Sequence, residues 1–175
     1  FPANGDRTST NLTAKQVREI YTGEISNWTE LEANLTAKQS NDNIVILSKA
    51  RRHGTHSSFI NFFQLNSMPA SSKSNALIFK KVGINNLYSK KPVHIFNQVH
   101  QAFGNISRQK NAIAFESFGA FTIFARKNNN HTVKVLSLNN QPPINGATIN
   151  KAYEFKRPLN IIINQQPSEQ AKAFI

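Results

Sequence analysis

The chain contains no cysteine, which excludes disulfides and every thiolate metal site. Acidic residues are scarce as well: 9 Asp and Glu stand against 21 Lys and Arg, leaving a net charge of +12. Asp6 and Glu116 stand isolated, so the paired carboxylates of a hydrolytic site are missing. Ser57 and Ser58 lack the Gly-x-Ser-x-Gly setting of a nucleophile elbow. His53 and His56 have no carboxylate or third histidine close by in sequence, so neither a metal nor any other cofactor is expected. No apolar run approaches the roughly 18 residues that span a bilayer, and no secretion leader is visible in the sequence. The chain opens on Phe1 instead of Met, which suggests that a leader or a preceding domain has been removed.

What is present indicates a folded domain. In 175 residues, 39% are hydrophobic and 13 are Phe, enough to build a core. The pI near 10.2 favours anionic partners such as oxyanions, nucleic acid or an acidic surface. Only 17% of residues are charged, however, and Asn, Gln, Ser and Thr supply most of the polarity. That dilution is unlike a dedicated nucleic-acid binder, and aromatic and basic residues do not interleave.

Helix and strand patterns alternate along the chain. Leu12–Gly23 has the grammar of a short helix. Thr13 is placed to cap it, with Gln16 at the capping-box position, Val17, Ile20 and Tyr21 on one face, and Gly23 at its end. Trp28 is expected to fill the gap between helix and sheet. A strand is expected over Ile44–Leu47, then a helix from about Thr55 with Phe59, Phe62 and Phe63 inward. Residues 65–75 read as loop, and Val93–Phe103 as helix with Val93, Phe96, Val99 and Phe103 in register. A short strand follows at Ala112–Phe115 and a further apolar element at Phe118–Phe124, then strands at Thr132–Leu138 and Leu159–Ile163, and residues 168–175 begin a helix. This order predicts an α/β fold with a mixed, mostly parallel sheet flanked by helices.

The junction near residue 50 is the most informative feature. A β-branched run ends in Lys49-Ala-Arg51-Arg52-His53-Gly54-Thr55-His56, and a helix pattern starts at once. A strand that stops at a helix N-terminus aims unpaired N–H groups and a positive dipole end at one point, which suits an anion. Lys49, Arg51, Arg52, His53, Gly54, Thr55 and His56 are therefore the candidate anion-binding residues. Two plainer readings remain open: Gly54-Thr55 as a turn and helix cap, and Arg51-Arg52 as a solvated basic corner.

Four stretches carry a resemblance to a known family. They are Leu12-Thr13 to Trp28-x-x-Leu31, the Gly54-Thr55 turn before its Phe-containing helix, Asn111-Ala-Ile-Ala-Phe115, and Tyr153-Glu-Phe-Lys-Arg157-Pro158-Leu159 with Ala171–Ile175. Together they resemble the phosphate-binding proteins of bacterial ABC transporters, of the type II periplasmic-binding-protein fold. The resemblance implies that residues 1–152 form the second lobe of such a receptor. Residues 153–175 would be the return hinge strand and the start of a helix of the other lobe. It implies a non-enzymatic, periplasmic or otherwise extracytoplasmic protein that captures inorganic phosphate or a similar oxyanion for a membrane permease. The alternative is a one-lobed envelope or adaptor protein that has lost tight phosphate binding.

The loop departs from the family pattern, which has Arg, then three residues, then Ser-Gly-Thr. Lys49 stands at the Arg position and His53 at the Ser position. Lys lacks the bidentate fork of Arg, and His donates from both ring nitrogens only when protonated. The acidic residue often found in this loop is missing. Weaker selectivity for phosphate is therefore expected.

Overall fold

The computed structural model describes residues 11–31, 43–83, 88–109, 111–128, 133–146, 148–157 and 168–169. It opens with β1 (Asn11–Leu12) and α1 (Ala14–Tyr21). The capping box forms as read: the Gln16 amide donates to Thr13 Oγ1 at 3.1 Å, and the Thr13 amide donates to Gln16 Oε1 at 2.8 Å. Gly23 ends the turn at φ +77°, where a Cβ would stand 2.8 Å from Ser89 Oγ, so only glycine fits. A 3-10 turn at Trp28–Leu31 follows. Trp28 is buried, and its Nε1 donates to the Asn111 carbonyl at 3.0 Å.

The central elements are β2 (Val45–Lys49), α2 (Gly54–Phe62), β3 (Leu65–Pro69), β4 (Ala76–Lys81), β5 (Val93–Phe96), α3 (Val99–Arg108) and β6 (Ala112–Ile113). The five strands pair in the order β3-β4-β5-β2-β6. Its centre, β5-β2-β6, is parallel, while β3 and β4 add an antiparallel edge. The remaining elements are α4 (Phe118–Asn128), β7 (Ser137–Leu138), which pairs parallel with β1, and a small hairpin, β8 (Ile144–Asn145) with β9 (Thr148–Ile149). This is the expected α/β architecture with a mixed sheet.

Side chains alternate across β2, so the sheet faces two cores. Ile46 joins a large cluster with Tyr21, Phe59, Phe79 and Phe115 beneath α1 and α2, whereas Leu47 packs with Phe96, Ala102 and Ala112 beneath α3. Phe59 stacks on Phe115 with centroids 3.9 Å apart and lies 4.6 Å from the Tyr21 ring.

Two local expectations fail. Residues 65–69 form β3 instead of loop. Its exposed Asn66, Met68 and Pro69 leave only Leu65 as a core signal, and pairing with β4 overrides the polar composition. Val93–Phe96 is a strand, and the helix starts only at Val99, after the Gln98 cap. Pairing with β2 and β4 on both edges outweighs the helical spacing of the apolar residues. Of Thr132–Leu138, only Ser137–Leu138 is strand among the described residues. The expected strand Leu159–Ile163, most of the helix at 168–175, and Asp6 lie outside the described residues.

Candidate functional site: the start of helix α2

The chain leaves β2 at Lys49 and turns through Ala50–His53, closed by the His53 amide donating to the Ala50 carbonyl at 3.0 Å. His53 holds an extended backbone (φ −87°, ψ 132°) as the helix cap, with no side-chain capping bond. Its carbonyl accepts from the His56 amide at 2.9 Å and the Ser57 amide at 3.2 Å. Gly54 and Thr55 thus supply first-turn amides with no acceptor inside the helix. The positive end of the helix dipole lies there too. Gly54 is exposed and Thr55 half-buried, so the amide pair lies near the surface.

The candidate cations divide into distinct settings. Lys49 is 3% exposed, and its Nζ lies 2.6 Å from Glu116 Oε2, an ion pair without hydrogen-bond alignment. The same ammonium stands 4.9 Å from the centre of the Phe96 ring. Lys49 shares the strand face of Leu47, so its charge is held inside the protein between β2 and the segment after β6. Arg52 is exposed and donates from Nη2 to Asn97 Oδ1 at 3.1 Å, which draws it toward the start of α3. Arg51 is exposed beside the turn.

The two histidines also part company. His53 is half-buried, and its Nε2 is buried with no hydrogen-bond partner among the described residues. His56 is 1% exposed and spans the core, with Nδ1 3.3 Å from Ser48 Oγ and Nε2 2.8 Å from Ser67 Oγ. Its ring lies between Phe79 and Phe115, with centroids at 6.0 Å and 6.4 Å. Burial first, then the nearby charges of Arg51 and His53, push its pKa below the usual value, against a bond to the Lys49 backbone carbonyl that raises it. The imidazole is a neutral tie between β2, α2 and β3. It faces away from the exposed amides, and its own amide already serves the helix.

One residue at this site was not singled out from the sequence. The Arg157 guanidinium reaches across the helix start: a Cβ on Gly54 would meet its Nη2 at 3.2 Å and its Cζ and Nη1 at 3.3 Å. Glycine at position 54 lets the guanidinium lie against the first turn. A guanidinium packed on the positive end of a helix is unfavourable until an anion joins them. No local pattern links positions 54 and 157; the only hint was that Arg157 belongs to the quoted return segment.

Thr55, Ser58, Glu116 and Arg157 also line a cavity of about 550 Å³, bounded by α2, residues 112–118, α4, residues 133–138 and residues 153–157. Among the described residues, no group of three His, Asp or Glu is placed to hold a metal, and no helix is long and apolar enough to cross a membrane. The groups assembled at the helix start are amides, a hydroxyl and arginine, the donor types that suit an oxyanion.

The family profile described as a PBP superfamily domain matches residues 1–175. The fold is similar to that of an ABC-type phosphate transport receptor from Vibrio cholerae, at 19% identity and a TM-score of 0.53, covering 82% of this chain and 50% of that one. It is similar to a putative phosphate ABC transporter substrate-binding protein with bound phosphate from Clostridium perfringens: 20% identity, TM-score 0.50, 78% of this chain and 42% of that one. PstS from Borrelia burgdorferi gives a TM-score of 0.56 at 16% identity, covering 81% of this chain and 47% of that one. The chain therefore spans about half the length of these structures. No curated protein matches the sequence.

Proposed function

Because the chain belongs to the PBP superfamily, we propose that it is a non-enzymatic, extracytoplasmic solute-binding protein whose ligand is inorganic phosphate or a similar oxyanion. Residues 1–152 act as one lobe, and residues 153–175 as the return toward a second. The observation that carries this reading is the exposed start of α2 at Gly54 and Thr55, against which the Arg157 guanidinium packs over the Gly54 Cα. Two of the similar structures, a phosphate transport receptor from Vibrio cholerae and a phosphate-bound protein from Clostridium perfringens, support the choice of ligand.

In this mechanism the oxyanion rests on the two amides and the Thr55 hydroxyl, and Arg157 and Arg51 balance its charge. Lys49 orders the loop from within through Glu116. An opposing lobe closes over the ligand, and a membrane permease receives it. The +12 charge steers anions inward, an effect that falls as salt rises.

A second reading is a one-lobed envelope or adaptor protein that has lost tight phosphate binding. It is favoured by the Lys49–Glu116 pair, which withdraws the loop's buried cation from any ligand. Titration calorimetry with phosphate, sulfate and a DNA oligomer separates the two. Phosphate binding that weakens at least about tenfold in Thr55→Ala, with no DNA response, supports the receptor. Silence toward both small anions supports the adaptor, and steeply salt-dependent DNA binding refutes both.

A further inference from the structure

We propose that the cavity beside α2 holds the apolar tail of a single-chain phosphate monoester, an alkyl or aryl phosphate, whose headgroup lies at the α2 start. This rests on the anion-site reading above and adds the substituent that the anion carries. The cavity measures about 550 Å³, within the roughly 300–1,000 Å³ of pockets that bury small organic ligands. Its walls include Phe155 as well as Phe59, Phe63, Phe103, Phe115, Phe118 and Phe121, so more than half of the 13 Phe of the chain line it. Phe59, Phe63, Phe103 and Phe115 are buried, but Phe118, Phe121 and Phe155 are only half-buried, and apolar surface left open to water there costs stability. An apolar occupant removes that penalty.

Charge selects the kind of occupant. The charged residues lining the cavity, among those described, are Glu116, Lys134, Lys156 and Arg157. Glu116 is already neutralised by Lys49 at 2.6 Å, so the rim presents a cationic excess. Arg157 belongs to both places: it lines the cavity, and its guanidinium packs on Gly54. Thr55 likewise opens onto the cavity from the first turn of α2. Headgroup site and tail site are therefore continuous. A neutral alcohol lacks the anion this rim favours, and inorganic phosphate leaves the aromatic walls uncovered.

The test is calorimetry on the whole chain with inorganic phosphate, ethyl phosphate, octyl phosphate below its micelle concentration, and octanol. Burial of the longer tail is expected to make octyl phosphate bind at least about 30-fold tighter than ethyl phosphate and than octanol. In Ala114→Trp, which fills the cavity, the ratio of octyl to ethyl phosphate affinity is expected to fall to near one. Should that variant fail to fold, a diazirine-tailed alkyl phosphate on the unaltered protein is expected to label peptides within residues 103–121. Equal binding of phosphate, ethyl phosphate and octyl phosphate overturns this proposal and leaves the anion site standing; that is the outcome if other polypeptide fills the cavity. Octanol binding as tightly as octyl phosphate, or labelling confined to other peptides, also overturns it. Silence toward phosphate and both esters overturns the anion site itself.

Discussion

Lys49 occupies the position where the family resemblance implies a ligand-clamping arginine, yet its charge is directed inward. Two variants, Lys49→Met and Glu116→Gln, separate a structural role from a ligand role. The ion pair has side-chain exposures of 4% and 10% and a separation of 2.6 Å. At an effective dielectric near 20, the gross attraction at that distance is about 6 kcal/mol, most of it offset by desolvation of the two groups. Removing either partner leaves the other buried without its counter-charge, an expected loss of about 3–5 kcal/mol. The double variant Lys49→Met with Glu116→Leu is expected to recover much of that loss, because no charge is then stranded. Urea unfolding followed by Trp28 fluorescence measures all three, and the cycle gives the pairwise coupling. Phosphate affinity of the folded variants supplies the second axis. If Lys49→Met keeps stability within about 0.5 kcal/mol but weakens phosphate binding by tenfold or more, Lys49 is a ligand, and its assignment as an internal strut is wrong.

Three other outcomes follow from the same geometry. His56 has a depressed pKa in the fold, so below about pH 6.5 the unfolded chain takes up a proton that the folded chain resists. Stability should therefore fall as pH drops from 6.5 toward that lower pKa, by up to about 1.4 kcal/mol per pH unit, and this slope should vanish in His56→Gln; an unchanged slope refutes the assignment. Gly54→Ala places a methyl 3.2–3.3 Å from the Arg157 guanidinium, whose flexible end can move aside. Stability should change by no more than about 1 kcal/mol while phosphate affinity drops severalfold, and full affinity in calorimetry would remove Arg157 from the site. Trp28→Phe deletes the bond from Nε1 to the Asn111 carbonyl, which still accepts from the Val45 amide at 3.0 Å. A loss of about 1–2 kcal/mol in the urea midpoint is expected; a loss beyond about 4 would mean that Trp28 supports more than this contact.

Local chemistry was legible where the structure itself is local. Helix α1 follows from Thr13, Gln16 and Gly23 because caps and left-handed ends depend on residues a few positions apart. The β2–turn–α2 junction follows for the same reason, and its Gly54 and Thr55 amides lie where the pattern places them. Strand β5 was obscured because Val93, Phe96, Val99 and Phe103 satisfy a helical spacing, with no Gly or Pro to mark the break at Asn97-Gln98. Strand β3 was obscured because its core contribution rests on Leu65 and on Ser67, whose hydroxyl meets His56 Nε2. Neither residue announces a strand.

The site itself shows the limit more sharply. Alternation along β2 already places Ser48 and Lys49 on opposite faces, so one strand position decides which of the two can approach the His56 core. That rule says Lys49 must leave the α2 face; it cannot say that Glu116, after β6, receives it. Nor can it say that Arg157, after the β8–β9 hairpin, returns to the helix start. Exchange of cations is the consequence: the loop's own lysine turns inward to brace β2 against the post-β6 segment, and an arginine from the return segment takes the outer position. A guanidinium there brings the planar, two-pronged donor geometry that lysine lacks. Under the proposed function, Arg157 takes the part of the clamp expected within the loop. On that reading, anion affinity depends on how residues 153–157 lie against α2, which would couple the return segment to occupancy of the α2 start.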